Sequence, residues 1–461
     1  MLETRLKRLA GESRATLALA LPVVVAQLLS VAMNVADTVL AGHLDTRVLA
    51  AVAMGYQVWV LALLVVIGLM LAVTPAIAQL DGAGRRGETG AVFRQALWIA
   101  LAIGVGLFLA MYFGAPPLLE AFGVAPAIRD EALGFLRAIA WGAYPLAIFF
   151  ACKNFSEGLS LTRPGMYFSI LALVLLVPLA WVLMYGRLGL PALGARGAGI
   201  AHATVLWVQA LAFLAYVARR RHYRAAQAFV RFDPPSAREI GALLRVGVPM
   251  GVSIFMEGSL FVATALLVGR LGEVPAAAHQ IAISCASVTF MLPLGIGMAT
   301  TVRVGNAVGR QDPSGIAWAG AAGLALALVT QFVSAALMLL VPGAIVAAYT
   351  ADTAVAALAV TLLGYAALFQ FSDGVQALFN GALRGLKDTA VPAVITILAY
   401  WGVGMPLGWW LGIERGGGAA GLWSGLIAGL SVAALLLTLR FVLMARRFRR
   451  LGVPQVAAAT P

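Results

Sequence analysis

Apolar residues run along this chain in long blocks separated by short polar segments. Twelve blocks stand out, over residues 16–42, 52–79, 93–114, 132–152, 165–186, 197–218, 246–270, 277–302, 316–341, 355–383, 390–412 and 418–442. Each is long enough to cross a bilayer as a helix, which takes about 20 residues. Segments of about ten residues that alternate apolar and polar positions are not the pattern, which argues against a transmembrane barrel. The chain therefore reads as an all-α membrane protein with twelve transmembrane helices. The first block starts near Thr16, is too long for a cleavable signal, and contains Pro22 and Asp37, so it is read as a retained span. Pro75, Pro145, Pro178, Pro249, Pro293 and Pro406 fall inside blocks, where each removes a backbone hydrogen bond and is predicted to kink its helix.

Composition supports this pattern: 62% of the 461 residues are hydrophobic and 11% charged, with a mean hydropathy of +0.95. An ordinary soluble domain is excluded. Fifty glycines and twenty prolines suit helices that pack closely and bend. The net charge of +13 lies in loops and ends, which points to lipid headgroups as partners and away from nucleic acid. Cys152 and Cys285 are far apart and form neither a disulfide framework nor a metal motif.

The basic residues also orient the chain. Twenty-five of the 32 fall in the ends and alternate loops, seven of them arginines between Arg219 and Arg245. The remaining seven are Arg47, Arg129, Arg137, Arg187, Arg196, Arg270 and Arg415. Positive charge collects on the cytoplasmic side, so both termini are predicted to be cytoplasmic.

The sequence repeats at a shift of about 227 residues: Pro22 matches Pro249, Gly42 and Leu44 match Gly269 and Leu271, and Gly82 matches Gly309. An even number of spans per half makes the repeats parallel. The predicted organisation is a cytoplasmic segment over 1–15, a first six-helix lobe over 16–218, a basic connector over 219–245, a second lobe over 246–442 and a cytoplasmic tail over 443–461. The connector is expected to lie at the inner face as a strap, with a short interfacial helix from Pro235 to Leu244.

Three acids remain inside the blocks: Asp37, Glu257 and Asp373. Glu257 is near the middle of a span bracketed by Arg245 and Arg270, roughly 18 Å from either by helical rise. Asp373 lies eleven residues before Arg384, roughly 16 Å from the cytoplasmic edge. A carboxylate at such depth costs at least about 3 kcal/mol and marks a functional site. Glu257 and Asp373 have similar depth and belong to the same half, so both can face one cavity and share a Na⁺ or a proton. Neither has a lysine or arginine at its own depth, so the countercharge is expected to be exchangeable. The blander alternative is a pair of protonated acids packed separately.

Asp37 sits nearer the outer face, where it can bind a proton, a cation or a cationic substrate, or simply pack against Asn34. Phe369 and Phe371 flank Asp373 and can either form cation–π contacts or pack in the core. Gln280, Gln376 and Asn154 are candidate cavity amides. His202 and His279 read as packing residues. No cofactor is indicated.

Four motifs carry a family resemblance: Asn34-Val-Ala-Asp37-Thr38 with Ala41-Gly42-His43-Leu44; Ser156-Glu157-Gly158 with Thr162-Arg163-Pro164; Ala277-Ala278-His279-Gln280-Ile281-Ala282; and Asp373-Gly374-Val375-Gln376 with the stretch Gly381 to Asp388. Together they resemble the multidrug and toxic compound extrusion (MATE) transporters, bacterial NorM-like branch, over about residues 12–445. The resemblance implies an inner-membrane exporter whose two six-helix lobes form a V; a monomer is expected. It implies export of cationic, lipophilic drugs and dyes in exchange for Na⁺ or H⁺. It also implies that Glu257 and Asp373 form a cation site in the second lobe and that Asp37 is the functional acid of the first. Two positions depart from the branch: Phe369 stands where tyrosine is frequent, and Leu176 where asparagine is common. A lipid-linked sugar flippase with the same two-lobe plan is the alternative; it is expected to carry arginine or lysine in its interior, and none is evident. A membrane enzyme would need clustered His, Asp and Glu, which the blocks lack.

Overall fold

The structure, a computed structural model, describes residues 2–121, 126–453 and 455. Among these residues the regular structure is helical throughout. Eleven helices are long and apolar enough to cross a membrane, twelve when one bent pair is counted as a span. The chain is thus a multi-pass membrane protein. In order the helices are α1 Leu2–Leu44, α2 Thr46–Met70, α3 Val73–Gly82, α4 Thr89–Ala121, α5 Pro126–Ala140, α6 Ala143–Gly158, α7 Arg163–Tyr185, α8 Gly194–Arg219, and the single turn α9 Arg221–Arg224. There follow α10 Ala237–Gly269, α11 Glu273–Gly309, α12 Pro313–Leu340, α13 Pro342–Ala347, α14 Thr353–Gly385, α15 Ala390–Ile397, α16 Met405–Trp409 and α17 Gly418–Leu451.

Two of the predicted spans break, and the breaks have a local cause. The chain interrupts its helix at Leu71–Ala72 and again at Trp141–Gly142, each time four residues before a proline, Pro75 or Pro145. Proline has no N–H to give the carbonyl four residues back, so the helix is weakest there. The second break bends α5 against α6 by 46°. The Trp141 carbonyl accepts the Trp207 indole N–H at 3.1 Å, which replaces the bond that Pro145 cannot make.

Several boundaries differ from the hydropathy reading because helix propensity does not stop where apolarity stops. The basic N-terminal segment is helical from Leu2 and continuous with the first span. The predicted short helix over Pro235–Leu244 is absent as a separate element; from Ala237 its residues form the first turns of α10. α6 runs on to Gly158, so Lys153, Asn154 and Glu157 lie within a helix and not in a loop. α17 carries its helix through the arginines to Leu451. Both cysteines are free.

The chain forms two compact units. One comprises residues 25–247, with a core in which Trp59, Met70, Phe93, Phe135, Phe155 and Phe213 are buried. The connector belongs to this unit. Arg94 of α4 pairs with Asp233 at 2.6 Å and donates to the carbonyls of Gln227 and Ala228, while Gln95 and Trp98 bond Pro234 O and Asp233 O. Tyr223 of α9 is buried and lies 2.8 Å from the Ser156 hydroxyl.

The other unit comprises residues 2–24 and 248–453. It takes in the first half of α1, tied to it by Glu12–Arg303 at 2.6 Å and by Arg8 donating to Ser314 Oγ at 2.6 Å. α14 is central and packs on α11, α12 and α17. Close approach of α11 and α14 depends on glycine: a Cβ on Gly381 would stand 2.3 Å from Gly297 O. Thr301 also bonds the Gly381 carbonyl at 2.8 Å. The eleventh span packs on α17 the same way. Gly404, Gly408 and Gly412 face Gly429, Gly425 and Gly421, with four-residue spacing on both helices.

Asp312 caps α12, accepting the Gly315 N–H at 2.8 Å, and Asp352 caps α14 through Ala354 and Val355. Burial alone would push the Asp312 carboxyl up, but the bonds from Gly315 and Ser314, with Arg8 beside them, hold it below its usual range.

A Cβ on Gly425 would stand 2.3 Å from Gly408 Cα, so Gly425→Val is expected to overpack the interface and cost about 1–3 kcal/mol. Gly241→Ala, with nothing within 4 Å of its Cβ, should be neutral or stabilising; thermal unfolding in detergent compares the two. Asp312→Ala should cost about 1 kcal/mol at neutral pH. Because the folded carboxyl is the more acidic one, this contribution is present above the unfolded pKa and lost as pH falls through the folded value. The wild-type and variant unfolding curves should therefore converge in acid.

Candidate functional site

Mid-span acids in the second unit meet across three elements. α10 carries Glu257, α14 carries Asp373 and Gln376, and the wide-turn stretch Leu398–Gly404 of the eleventh span carries Tyr400. Gln376 Nε2 donates to Glu257 Oε2 at 3.5 Å. Glu257 and Asp373 act on each other's charge, and Tyr400 lies in the field of both. Asp373, Gln376 and Tyr400 are 5%, 1% and 0% exposed, which keeps their mutual interactions in a poorly screening interior.

The wide-turn stretch has a sequence cause. Pro406 has no N–H to close the ladder behind it, and a helix with a missing bond readily opens to i→i+5 turns. Such a turn rotates the residues before it, and here it sets Tyr400 toward the acids. Gly404, Gly408 and Gly412 then hold this irregular span close against α17.

The Tyr400 hydroxyl interacts with the Gln376 amide, and one buried oxygen of Asp373, Oδ1, finds no hydrogen-bond partner among the described residues. Buried polar atoms are ordinarily satisfied, which makes this cluster a candidate site. The donor set is oxygen only, which suits a proton or a hard monovalent cation and not a soft metal. No group of three or more His, Cys, Asp or Glu able to hold a transition metal occurs among the described residues.

Arg384, read from the sequence as a loop residue, is instead buried in the last turn of α14, and its charge reaches Glu257. It stands about 16 Å along the helix from Asp373, so it is not a partner at the acids' own depth. The expectation of no interior lysine or arginine is likewise revised in the first unit, where Lys153 is buried 3.9 Å from Glu157. Both corrections arise because the helices extend past their apolar blocks and bury the charged turns that follow.

The remaining candidates divide. Phe369 is 2% exposed and stacks edge-on with Trp423 and Phe261, so it belongs to a packed aromatic group; Trp423 in turn donates to His279 Nδ1 at 3.1 Å. Phe371 is half-buried against the same core. Gln280 is exposed and bonds Ser284 on its own helix, away from the acids. Gln370, not singled out from the sequence, bonds Thr289 and Ser334 and cross-links α14 to α11 and α12.

Asp37, Asn34 and Asn154 belong to the first unit. Asp37 is 3% exposed, and its Oδ2 lies 3.1 Å from His202 Nδ1, while Oδ1 is unpartnered. Its charge also reaches Tyr56. Asn34, one turn earlier on α1, shares its face, and its carbonyl accepts the Thr38 hydroxyl at 2.9 Å. Asn154 accepts from Thr74 at 3.2 Å and is otherwise enclosed. His202 was visible in the sequence, but nothing there linked it to Asp37. Tyr400 carried a signal that could have been read: a hydroxyl inside an apolar block, six residues before a proline.

Carboxylates buried at mid-span in a many-spanned helical protein are a frequent mark of membrane transport proteins. Residues 22–182 and 249–410 match the MatE family profile, the two stretches beginning 227 residues apart, which is the shift of the internal repeat. The chain belongs to the MATE family of transporters and is not an enzyme. It is 48% identical to a protein of Xanthomonas campestris named "Probable multidrug resistance protein NorM", over 97% of each chain. It is 41% identical to the "Multidrug resistance protein PmpM" of Pseudomonas aeruginosa, over 96% of this chain and 94% of that one. Among solved structures it resembles the eukaryotic MATE transporter AtDTX14, with TM-score 0.84 and 22% identity over 96% and 99% of the two chains. It also resembles a MATE in a bent conformation, with TM-score 0.88 and 20% identity over 97% and 98%.

Because the Arg384 charge reaches Glu257, its removal should be felt through charge. Arg384→Met is expected to lower thermal stability, and added NaCl or moderate acidification should recover part of the loss, since either neutralises the acids left behind. Unfolding in detergent with matched KCl as control checks this.

Proposed function

We propose that this chain is a multidrug efflux carrier of the bacterial inner membrane that exchanges Na⁺ or H⁺ for cationic, lipophilic drugs and dyes. The names of its relatives support multidrug efflux. The observation that carries the ion-coupled reading is the meeting of Glu257 and Asp373 beside the Gln376 amide and the Tyr400 hydroxyl, with one buried Asp373 oxygen left without a partner.

In this reading the coupling ion enters from outside and neutralises the pair. A bound organic cation then loses its attraction and leaves outward. Return to the cytoplasm-facing state releases the ion. Coupling requires that each ligand bind the two states with different affinity. Asp37 with His202 is a second protonatable site, in the first unit. Gln376 and Tyr400 hold the ion's oxygen cage, and Asn34 borders Asp37. Both termini are cytoplasmic in this scheme, with lobes over 16–218 and 246–442, the connector at the inner face, and a monomer as the working unit.

Dye export into inverted vesicles tests the proposal. Glu257→Gln with Asp373→Asn should lower coupled export by at least about tenfold, since a positioned charge contact is worth about 1.4 kcal/mol or more. Undiminished export would refute the role of the pair. Imposing a Na⁺ gradient and a pH gradient separately identifies the driving ion, and Asp37→Asn measured in parallel separates the contribution of the first unit.

A further inference from the structure

A cavity of about 730 Å³ in the first unit is not at the acids. It lies between α4, α5 and α8 and is lined by Tyr112, Asp130, Arg137, Trp141, Arg196 and Trp207, among others. We propose that this groove binds an anionic phospholipid, with the phosphate on Arg137 and Arg196 and an acyl chain along Trp141 and Trp207.

Register places the two arginines together. Gly134 and Arg137 are one turn apart on α5 and share a face. A Cβ on Gly134 would stand 3.4 Å from Arg196 Cβ, so the arginine stem from α8 lies directly over the turn that carries Arg137. Arg137 itself packs over the Tyr112 ring at 5.8 Å. No acid comes within ion-pair distance of either guanidinium among the described residues. Asp130 lies two turns before Arg137 on the same face, and the Glu131 carboxylate accepts the Ala195 N–H at 3.3 Å beside Arg196. Both guanidiniums nonetheless stand in the groove without an ion-pair partner, open to an anionic group.

The apolar wall has the order of a lipid. Trp141 lies one turn beyond Arg137 on α5, and Trp207 three turns beyond Arg196 on α8, both on the groove face. The two tryptophans are joined by the indole bond to the Trp141 carbonyl. On each helix the tryptophan lies further along than the arginine, so charge and aromatic surface are separated along the groove as a lipid headgroup and its chain are. Trp141 is 53% exposed and Phe113, on the neighbouring α4, 64% exposed, as expected of a surface that faces lipid. Arg196 also sits in the first turn of α8, where the helix dipole disfavours a cation. Guanidinium forks bind phosphate in two-point fashion, which gives that placement a use. The cavity volume falls in the range of small-molecule sites.

The test uses the purified full-length protein, delipidated in detergent and titrated in separate arms with phosphatidylglycerol, phosphatidylcholine and inorganic phosphate. Phosphatidylglycerol should raise the unfolding temperature saturably and at lower concentration than phosphatidylcholine. Arg137→Gln with Arg196→Gln should raise the half-saturating concentration by about tenfold, the loss of one charge-assisted contact pair. Arg137→Lys with Arg196→Lys should fall between them, and Arg221→Gln with Arg224→Gln, equal in charge change, should behave as wild type. If the double glutamine variant does not fold, the single variants are titrated, each with a smaller shift in the same direction. A glutamine variant that responds as wild type overturns the proposal. So does a response reproduced by inorganic phosphate alone, which would make the groove a free-anion site.

Discussion

Two carboxylates confined to a poorly screening interior, each acting on the other, are the constraint on which the second unit depends. Charge in such a place cannot be left unpaired without cost, and Asp373 has an oxygen with no partner. A soluble protein would hydrate it. A membrane protein that retains it must have an exchangeable positive ligand or a protonated acid, and the surrounding oxygens of Gln376 and Tyr400 are placed for either. The coupled export proposed above is the consequence of that incomplete neutralisation.

Holding such a cluster together requires helices that approach closely, and small residues make the approach possible. The α11–α14 crossing at Gly297 and Gly381 sets the depth of Asp373, and the glycine rows of the eleventh and twelfth spans let a distorted helix lie against a regular one. Pro406 supplies the distortion and Gly404, Gly408 and Gly412 tolerate it. Tyr400 reaches the acids because these two effects act on the same span. Sequence, local geometry and site are here one chain of causes.

Charge is also sorted within the first unit. Asp37 with His202 forms a buried acid–imidazole contact, whereas Arg137 and Arg196 stand exposed along an aromatic groove. The two environments differ in burial and in the sign of the charge they present, so the lipid site proposed for the groove and the interior carboxylate do not share one surface.

The hydrophobic pattern alone determined the class of protein, the number of spans within one, and the three interior acids, because a bilayer imposes a length and a polarity that any spanning helix must show. The internal repeat was legible for the same reason, since proline and glycine at matching places mark matching bends. Helix ends were not, because helical hydrogen bonding continues past the last apolar residue; this is how Arg384 and the Lys153–Glu157 pair came to be buried. Nor could a linear pattern show which distant residues meet. His202 beside Asp37, Tyr400 beside Glu257 and Arg196 over Gly134 are products of helix crossing and rotation, and crossing is decided by side-chain packing across the whole tertiary structure.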